Sequence, residues 1–239
     1  MVEKPLPLYR RVLLKLSGEI LAGEGIFCPK ILNRVCQEIK LVADMGVEVC
    51  LVIGGGNIFR GNIGEMHGMD RSRSDHIGML ATVMNALAVQ NCMNNIEGME
   101  PRVMTAIQMN EIAEPYTRRR AFHHIDLGRV VILAAGIGNP FFTTDTAAAQ
   151  RACELNCDVI LKGTKVDGIY CSDPAHNKDA NFHPTLSYQD VLTRDLNVMD
   201  AAAISLAKEN SIPVVVFNIQ PPGQLAKVVQ GQGIFTKVS

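Results

Sequence analysis

Neither sign of charge is in excess in this chain: 23 Lys and Arg stand against 24 Asp and Glu, with no long basic run. A surface built mainly to grip nucleic-acid phosphates needs such an excess, so polynucleotide partners are disfavoured. Long apolar runs are missing from the start as well. Met1 to Arg11 carries Glu3, Lys4, Pro5, Pro7 and two arginines, and the apolar run after it is about six residues, too short for a signal peptide or a membrane span. The expectation is a cytoplasmic protein with no membrane partner and a flexible tail over residues 1–8. The cysteines (Cys28, Cys36, Cys50, Cys92, Cys153, Cys157, Cys171) are odd in number and form no CxxC pair. They fit neither a disulfide framework nor a zinc ribbon and read as reduced, partly buried thiols. Cys153 and Cys157 have i, i+4 spacing, but no second His or Cys pair completes a ligand set, so no protein-bound metal is expected. His123-His124 lies in a polar segment and reads as solvent-facing. No repeat, low-complexity tract or Gly/Ser linker marks a boundary, so residues 9–239 read as one domain.

What is present is alternation. Apolar, β-branched runs of strand length occur at Arg11–Leu16, Val47–Ile53, Arg102–Ile107, Arg129–Ala135, Asp158–Lys162 and Ile212–Phe217. They are continuous rather than alternating, as expected of strands buried on both faces. Helix-length segments with a 3.6-residue apolar period lie between them at Ile31–Met45, Asp75–Asn95, Thr144–Leu155 and Met199–Glu209. Strand–helix alternation predicts an α/β, three-layer αβα sandwich around a mostly parallel sheet. An Asp-Gly turn signal at Asp167-Gly168, flanked by short apolar stretches, predicts a small hairpin over Val166–Tyr170.

In open α/β sheets ligands bind beyond the carboxyl ends of the strands. Three of these ends are glycine-rich: Lys15-Leu16-Ser17-Gly18, Gly54-Gly55-Gly56-Asn57, and Gly136-Ile137-Gly138-Asn139-Pro140-Phe141-Phe142-Thr143-Thr144-Asp145. Glycines let backbone N–H groups converge on an anion without Cβ interference. One such loop would be only a tight turn; three, with Lys15 and Arg60 alongside, favour phosphates. No Gly-Lys-Ser/Thr follows Gly54-Gly55-Gly56 and no complete GxGxxG accompanies it, so neither a Walker A loop nor a generic dinucleotide fold fits. Phosphoryl transfer needs fixed positive charge near the migrating group, together with magnesium, and Lys15 at the end of an apolar strand supplies charge. Asp145 and Asp200 are placed to orient the lysine or the metal, although both also start helices, where Asp caps well.

These motifs resemble the bacterial uridylate kinase family from Tyr9 to roughly the last ten residues. The resemblance rests on Leu14-Lys15-Leu16-Ser17-Gly18-Glu19, Ile53-Gly54-Gly55-Gly56-Asn57-Ile58-Phe59-Arg60-Gly61, Met79-Leu80-Ala81-Thr82-Val83-Met84-Asn85, Gly138-Asn139-Pro140-Phe141-Phe142-Thr143-Thr144-Asp145, Thr164-Lys165-Val166-Asp167-Gly168 and Val198-Met199-Asp200, in that order. It implies the amino-acid-kinase fold and transfer of the γ-phosphoryl of ATP to UMP. It implies a catalytic set of Lys15, Arg60, Asp145 and Asp200, with Lys15, Leu16, Ser17, Gly18, Gly56 and Arg60 at the ATP phosphates. Gly55, Asp75 and Ile137 to Thr144 would hold UMP, with Asp75 accepting from ribose hydroxyls. As a residue alone, Asp75 reads equally as a helix N-cap. Asn139, Thr143 and Thr144 would read the uracil edge and Phe141 or Phe142 would wall it. Thr164, Tyr170 and Asp173 would take adenosine. UMP would then bind roughly within residues 9–155 and ATP within 156–239. The resemblance further implies magnesium carried as Mg-ATP, regulation by GTP and UTP, and a homohexamer. Ile137, Gly163 and Ser74 stand where the family often carries threonine, alanine and glycine, and GTP-activated members tend to be basic where Gln90 and Asn94 stand here. A carboxylate or carbamate kinase of the same fold, or a non-catalytic nucleotide-binding regulator, is the competing expectation. The loop Gly138 to Thr144 has no role in the first, and intact Lys15, Arg60, Asp145 and Asp200 speak against the second.

Overall fold

A computed structural model describes residues 6–60, 68–171, 177, 180–196 and 198–239. Its strands are β1 (Arg11–Leu16), β2 (Glu48–Ile53), β3 (Arg102–Thr105), β4 (Glu114–Pro115), β5 (Val131–Ala134), β6 (Val159–Thr164), β7 (Ile169–Tyr170), β8 (Phe182–His183), β9 (Thr185–Leu186), β10 (Val214–Asn218) and β11 (Phe235–Val238). The helices are α1 (Pro29–Ala43), α2 (Arg71–Asn94), α3 (Arg118–Asp126), α4 (Thr144–Glu154), α5 (Tyr188–Thr193), α6 (Ala201–Glu209) and α7 (Gln224–Val229). The main sheet runs β4-β3-β5-β2-β1-β6-β10-β11-β9, and only the β10–β11 pair is antiparallel. The mostly parallel sheet expected from the sequence is present.

All six side chains of β1 are buried, because helices cover both faces of the sheet. Successive side chains of a strand point to opposite faces. Val12, Leu14 and Leu16 therefore join a core with Val35 of α1, Val83 of α2 and Leu225 of α7. Leu13 joins the other core, with Ala121 of α3, Ala148, Ala149 and Ala152 of α4, and Ile204 of α6. The alanines of α4 are completely buried, so this helix lies close against the sheet. Its N-terminus comes to rest over the carboxyl ends of β1 and β6.

Several expectations need correction. The long helix α2 begins at Arg71, capped by the Asp70 side chain on the Arg73 N–H, so Asp75 is not its cap. The Asp-Gly hairpin does not form, because β7 pairs antiparallel with β8 instead of folding back across Gly168. Gly168 is held against β11, where a Cβ would sit 3.0 Å from the Thr236 nitrogen, and Ile169 N–H donates to Thr236 Oγ1 at 2.8 Å. The pair His123-His124 belongs to α3, and His124 is buried, with Nε2 2.7 Å from Glu114 and Nδ1 facing Arg129. None of the seven cysteines is in a disulfide.

Candidate active site

Parallel register sets the centre of the site. Lys15 of β1 stands directly opposite Lys162 of β6, so both lysines leave the sheet on one face at one level. That face is the one α4 covers. Asp145, in the first turn of α4, lies between them, with Oδ1 2.6 Å from Lys15 Nζ and Oδ2 2.9 Å from Lys162 Nζ. Lys162 also donates to the Val198 carbonyl oxygen. Burial pushes the Asp145 carboxyl up, but the two ammonium groups outweigh it and hold the acid below its ordinary value. Burial pushes Lys162 below the usual lysine value, and the pull of Asp145 only partly offsets this. Capping of α4 falls to Thr143, whose Oγ1 accepts from the Asp145 and Thr146 N–H groups. The Asp145 carboxylate is thereby left for the lysines.

Asp200 does cap its helix, accepting from Ala203 N–H at 2.8 Å at the start of α6. Its oxygens also accept from the hydroxyls of Thr143 and Thr146. Asp200 therefore ties the start of α6 to the start of α4. It orients the helix that carries Asp145, and its charge also favours the ammonium form of Lys162.

The glycine loops pack on one another beside this triad. Asn85 of α2 donates to the Gly54 carbonyl at 2.6 Å and exchanges amide bonds with Asn57. Gly18 fits under these groups with no room to spare: a Cβ there would lie 2.5 Å from the Gly54 oxygen and 2.8 Å from Asn85 Nδ2. Gly56 is open, its nearest neighbour being Glu19 at 3.6 Å from a built Cβ. Gly18→Ala is accordingly expected to lower Tm by roughly 2–12 °C, from about 1–3 kcal/mol of overpacking, while Gly56→Ala leaves Tm in place. A thermal melt of both variants reads this directly. Ser17 caps the short 3-10 helix Gly18–Ile20, and Arg60 pairs with Glu19 and donates to the Gly56 carbonyl. Leu16 is completely buried and offers only backbone, and its carbonyl is taken by the Gly54 N–H. The sequence expectation at Leu16 thus reduces to a packing role for the side chain.

The loop after β5 is shaped by left-handed backbone. Ala135, Gly136, Gly138 and Phe141 have φ of 62, 59, 84 and 72°. For Ala135 and Phe141 this is strained, and side-chain partners on α2 hold both in place. Thr82 Oγ1 accepts the Ala135 N–H at 2.8 Å, and Asp75 Oδ2 accepts the Phe141 N–H at 2.7 Å. Asp75 also pairs with Arg71 at 3.1 Å. Between loop and helix is a cavity of about 130 Å³, lined by Gly55, Asp75, Ile137, Asn139, Phe142, Thr143 and Thr144 among others. Most of the expected UMP residues thus meet around one space. Phe141 and Phe142 are exposed, not core; of the two only Phe142 lines the cavity, and half-buried Pro140 does not.

The expected adenosine residues are more scattered. Thr164 ends β6, and its hydroxyl donates to the Val166 carbonyl at 2.7 Å. Tyr170 meets Phe182 edge-on at 5.4 Å between ring centres. Asp173 lies outside the described residues. Sequence reading missed Lys162, although it repeats the signal of Lys15: a lysine close to the carboxyl end of a buried strand, here after Val159-Ile160-Leu161. It also missed Thr82 and Ala135. Among the described residues no group of three or more His, Cys, Asp or Glu could hold a metal ion.

A buried two-lysine, one-carboxylate centre at the carboxyl edge of a parallel sheet, beside stacked glycine loops, defines a phosphotransferase. Residues 10–218 match the amino acid kinase family, and the chain belongs to it. It is 54% identical over 233 residues to the uridylate kinase of Paramagnetospirillum magneticum, covering 97% of each chain. It is 52% identical to that of Roseobacter denitrificans over 98% of each. The solved UMP kinase from Bacillus anthracis superimposes with a TM-score of 0.94 at 44% identity, covering 97% of this chain and 96% of the other. That from Ureaplasma parvum gives 0.91 at 36%, covering 96% and 98%. No helix among the described residues is long and apolar enough to cross a membrane.

Proposed function

We propose that this chain transfers the γ-phosphoryl group of ATP to UMP, giving UDP and ADP. The observation that carries this is the placing of Lys15 and Lys162 on one carboxylate, next to the cavity between α2 and the Gly136–Thr144 loop. An oxygen of the UMP phosphate attacks the γ-phosphorus in line, and the bond to the β,γ-bridging oxygen breaks, leaving ADP. Charge on the transferring group's oxygens and on the leaving oxygen is met by the two ammonium groups. Asp145 is a positioning residue: it holds both lysine side chains pointed at one spot. Arg60 would leave Glu19 for a phosphate, and the amides of Ser17, Gly18, Gly55 and Gly56 would complete the cradle. Magnesium enters as part of the substrate Mg-ATP, and with the Asp145 oxygens facing lysines its ligands would be phosphate oxygens.

Asn139 and Thr144 read the uracil edge, Thr143, whose hydroxyl is held by Asp200 and the first amides of α4, lines it, Phe142 walls it and Asp75 takes the ribose hydroxyls. Thr164, Tyr170 and Asp173 serve adenosine. UMP would then lie within 9–155 and ATP within 156–239 of one domain behind a short tail. Exposed Ile77, Leu80 and Met84 form one face of α2, which supports a subunit interface and a homohexamer. We place the enzyme in the cytoplasm, in pyrimidine nucleotide synthesis, with GTP as activator and UTP as inhibitor.

The test is a panel of acceptors with Mg-ATP: UMP should be phosphorylated fastest. Faster turnover of CMP, carbamate or acetylglutamate would sink the assignment. Asp75→Asn should raise the KM for UMP roughly tenfold, as for about one charged hydrogen bond, and spare the KM for ATP. Equal effects on both substrates would make Asp75 a tether of the Phe141 loop and nothing more.

A further inference from the structure

Ser74 is completely buried, and its hydroxyl has no hydrogen-bond partner among the described residues. An unpartnered buried hydroxyl is costly, and native proteins rarely leave one without a use. Its place explains it. Ser74, Gly78 and Thr82 recur every four residues along α2, so they form one stripe, and all three line the cavity next to Asp75 and Gly55. The other polar side chains that α2 brings to this cavity are engaged. Thr82 Oγ1 donates to the Met79 carbonyl and accepts the Ala135 N–H, and Asp75 holds the Phe141 N–H and Arg71. At Gly55 the loop after β2 lies against the same stretch of helix, with a built Cβ 2.9 Å from the Gly78 oxygen. Ser74 therefore stands one turn from the glycine cradle and one residue from the ribose-binding carboxylate.

We propose that Ser74 is a further acceptor-binding residue, whose hydroxyl donates to an oxygen on the ribose-phosphate side of the nucleotide in this cavity. The role rests on the UMP kinase reading above. The free protein carries the hydroxyl unsatisfied, and the acceptor satisfies it. This gives Ser74 a signature that a packing residue lacks: removing the hydroxyl weakens acceptor binding without weakening the free protein.

The experiment pairs steady-state kinetics with thermal melts of Ser74→Ala and the near-isosteric Ser74→Cys. For S74A the KM for UMP should rise roughly 3- to 10-fold, the value of one hydrogen bond, while the KM for ATP stays within about twofold. S74C, a weaker donor, should fall between S74A and the parent. The Tm of free S74A should equal or exceed the parent's, and its increase on adding UMP should be smaller. An unchanged KM for UMP, equal rises for both substrates, or a lowered Tm of free S74A would each overturn the role. A parent protein that fails to phosphorylate UMP, yet gains a UMP-induced Tm shift that S74A loses, would sink the activity and leave Ser74 standing.

Discussion

Replacing Lys15 by methionine should lower kcat by about 10²–10³-fold, the usual cost of losing one preorganised charge at a transition state. Methionine keeps the length and the apolar stem of the side chain, which is buried in the sheet. Asp145 retains Lys162 as its partner at 2.9 Å, so the fold should survive. The loss should fall on kcat and on kcat/KM alike, because the charge is used when negative charge shifts between the phosphates and not when UMP binds. Lys162→Met should do the same, since the register places the two ammonium groups at one level. Saturating UMP and Mg-ATP with product quantified over time is the measurement. Near-normal turnover of either variant would remove that lysine from the mechanism.

Asp145→Asn is the second large effect, and it reaches stability as well as rate. The carboxylate is 14% exposed and faces two ammonium groups, so neutralising it leaves both cations buried with only the weaker pull of Asp200 on Lys162 as counter-charge. Breaking a buried pair in this way costs about 3–5 kcal/mol, or on the order of 10 °C in Tm for a chain of this size. Helix α4 keeps its cap, which is the Thr143 hydroxyl, so the loss reports the ion cluster alone. The sign with pH follows from the lowered acid. Folding favours the ionised form, so the stabilisation is complete above the ordinary value of 3.8 and is lost as pH falls through the folded value. The gap in Tm between parent and variant should accordingly be wide at pH 7 and narrow in acid. An equal gap at both, or none, would remove the ion cluster from the stability of the fold.

The sheet and its covering helices were legible because continuous apolar runs leave little choice but two-sided burial. Lys15 was legible for the same reason: a charge in Leu13-Leu14-Lys15-Leu16 needs a partner. The second lysine that shares its carboxylate was not. Lys162 is neighbour to Lys15 only through a strand register, and register belongs to the folded sheet, the two being 147 positions apart in the chain. The helix start at Arg71 was missed because the Asp70 cap precedes an Arg-Ser-Arg-Ser stretch with no apolar period to mark it. The buried His124 was hidden among arginines, whose charges made the whole of α3 look wet. The Asp167-Gly168 signal failed because close packing against Thr236, a contact across the fold, used the glycine for space and not for a turn.

The strand β1 lies between β2, made soon after it, and β6, made more than a hundred residues later. Backbone N–H groups of Arg10 and Arg11 even wait for the carboxylate of Asp158, just ahead of β6. During synthesis the first strand must therefore hold one edge open while α1 to α4 and, after β2, the three strands β3, β4 and β5 emerge. Lys15 spends that interval without Lys162 beside it. A nascent chain ending before Lys162 has the glycine loops and the cavity beside α2 but only one of the two lysines that meet Asp145, so that cluster is incomplete until about two-thirds of the chain has been translated.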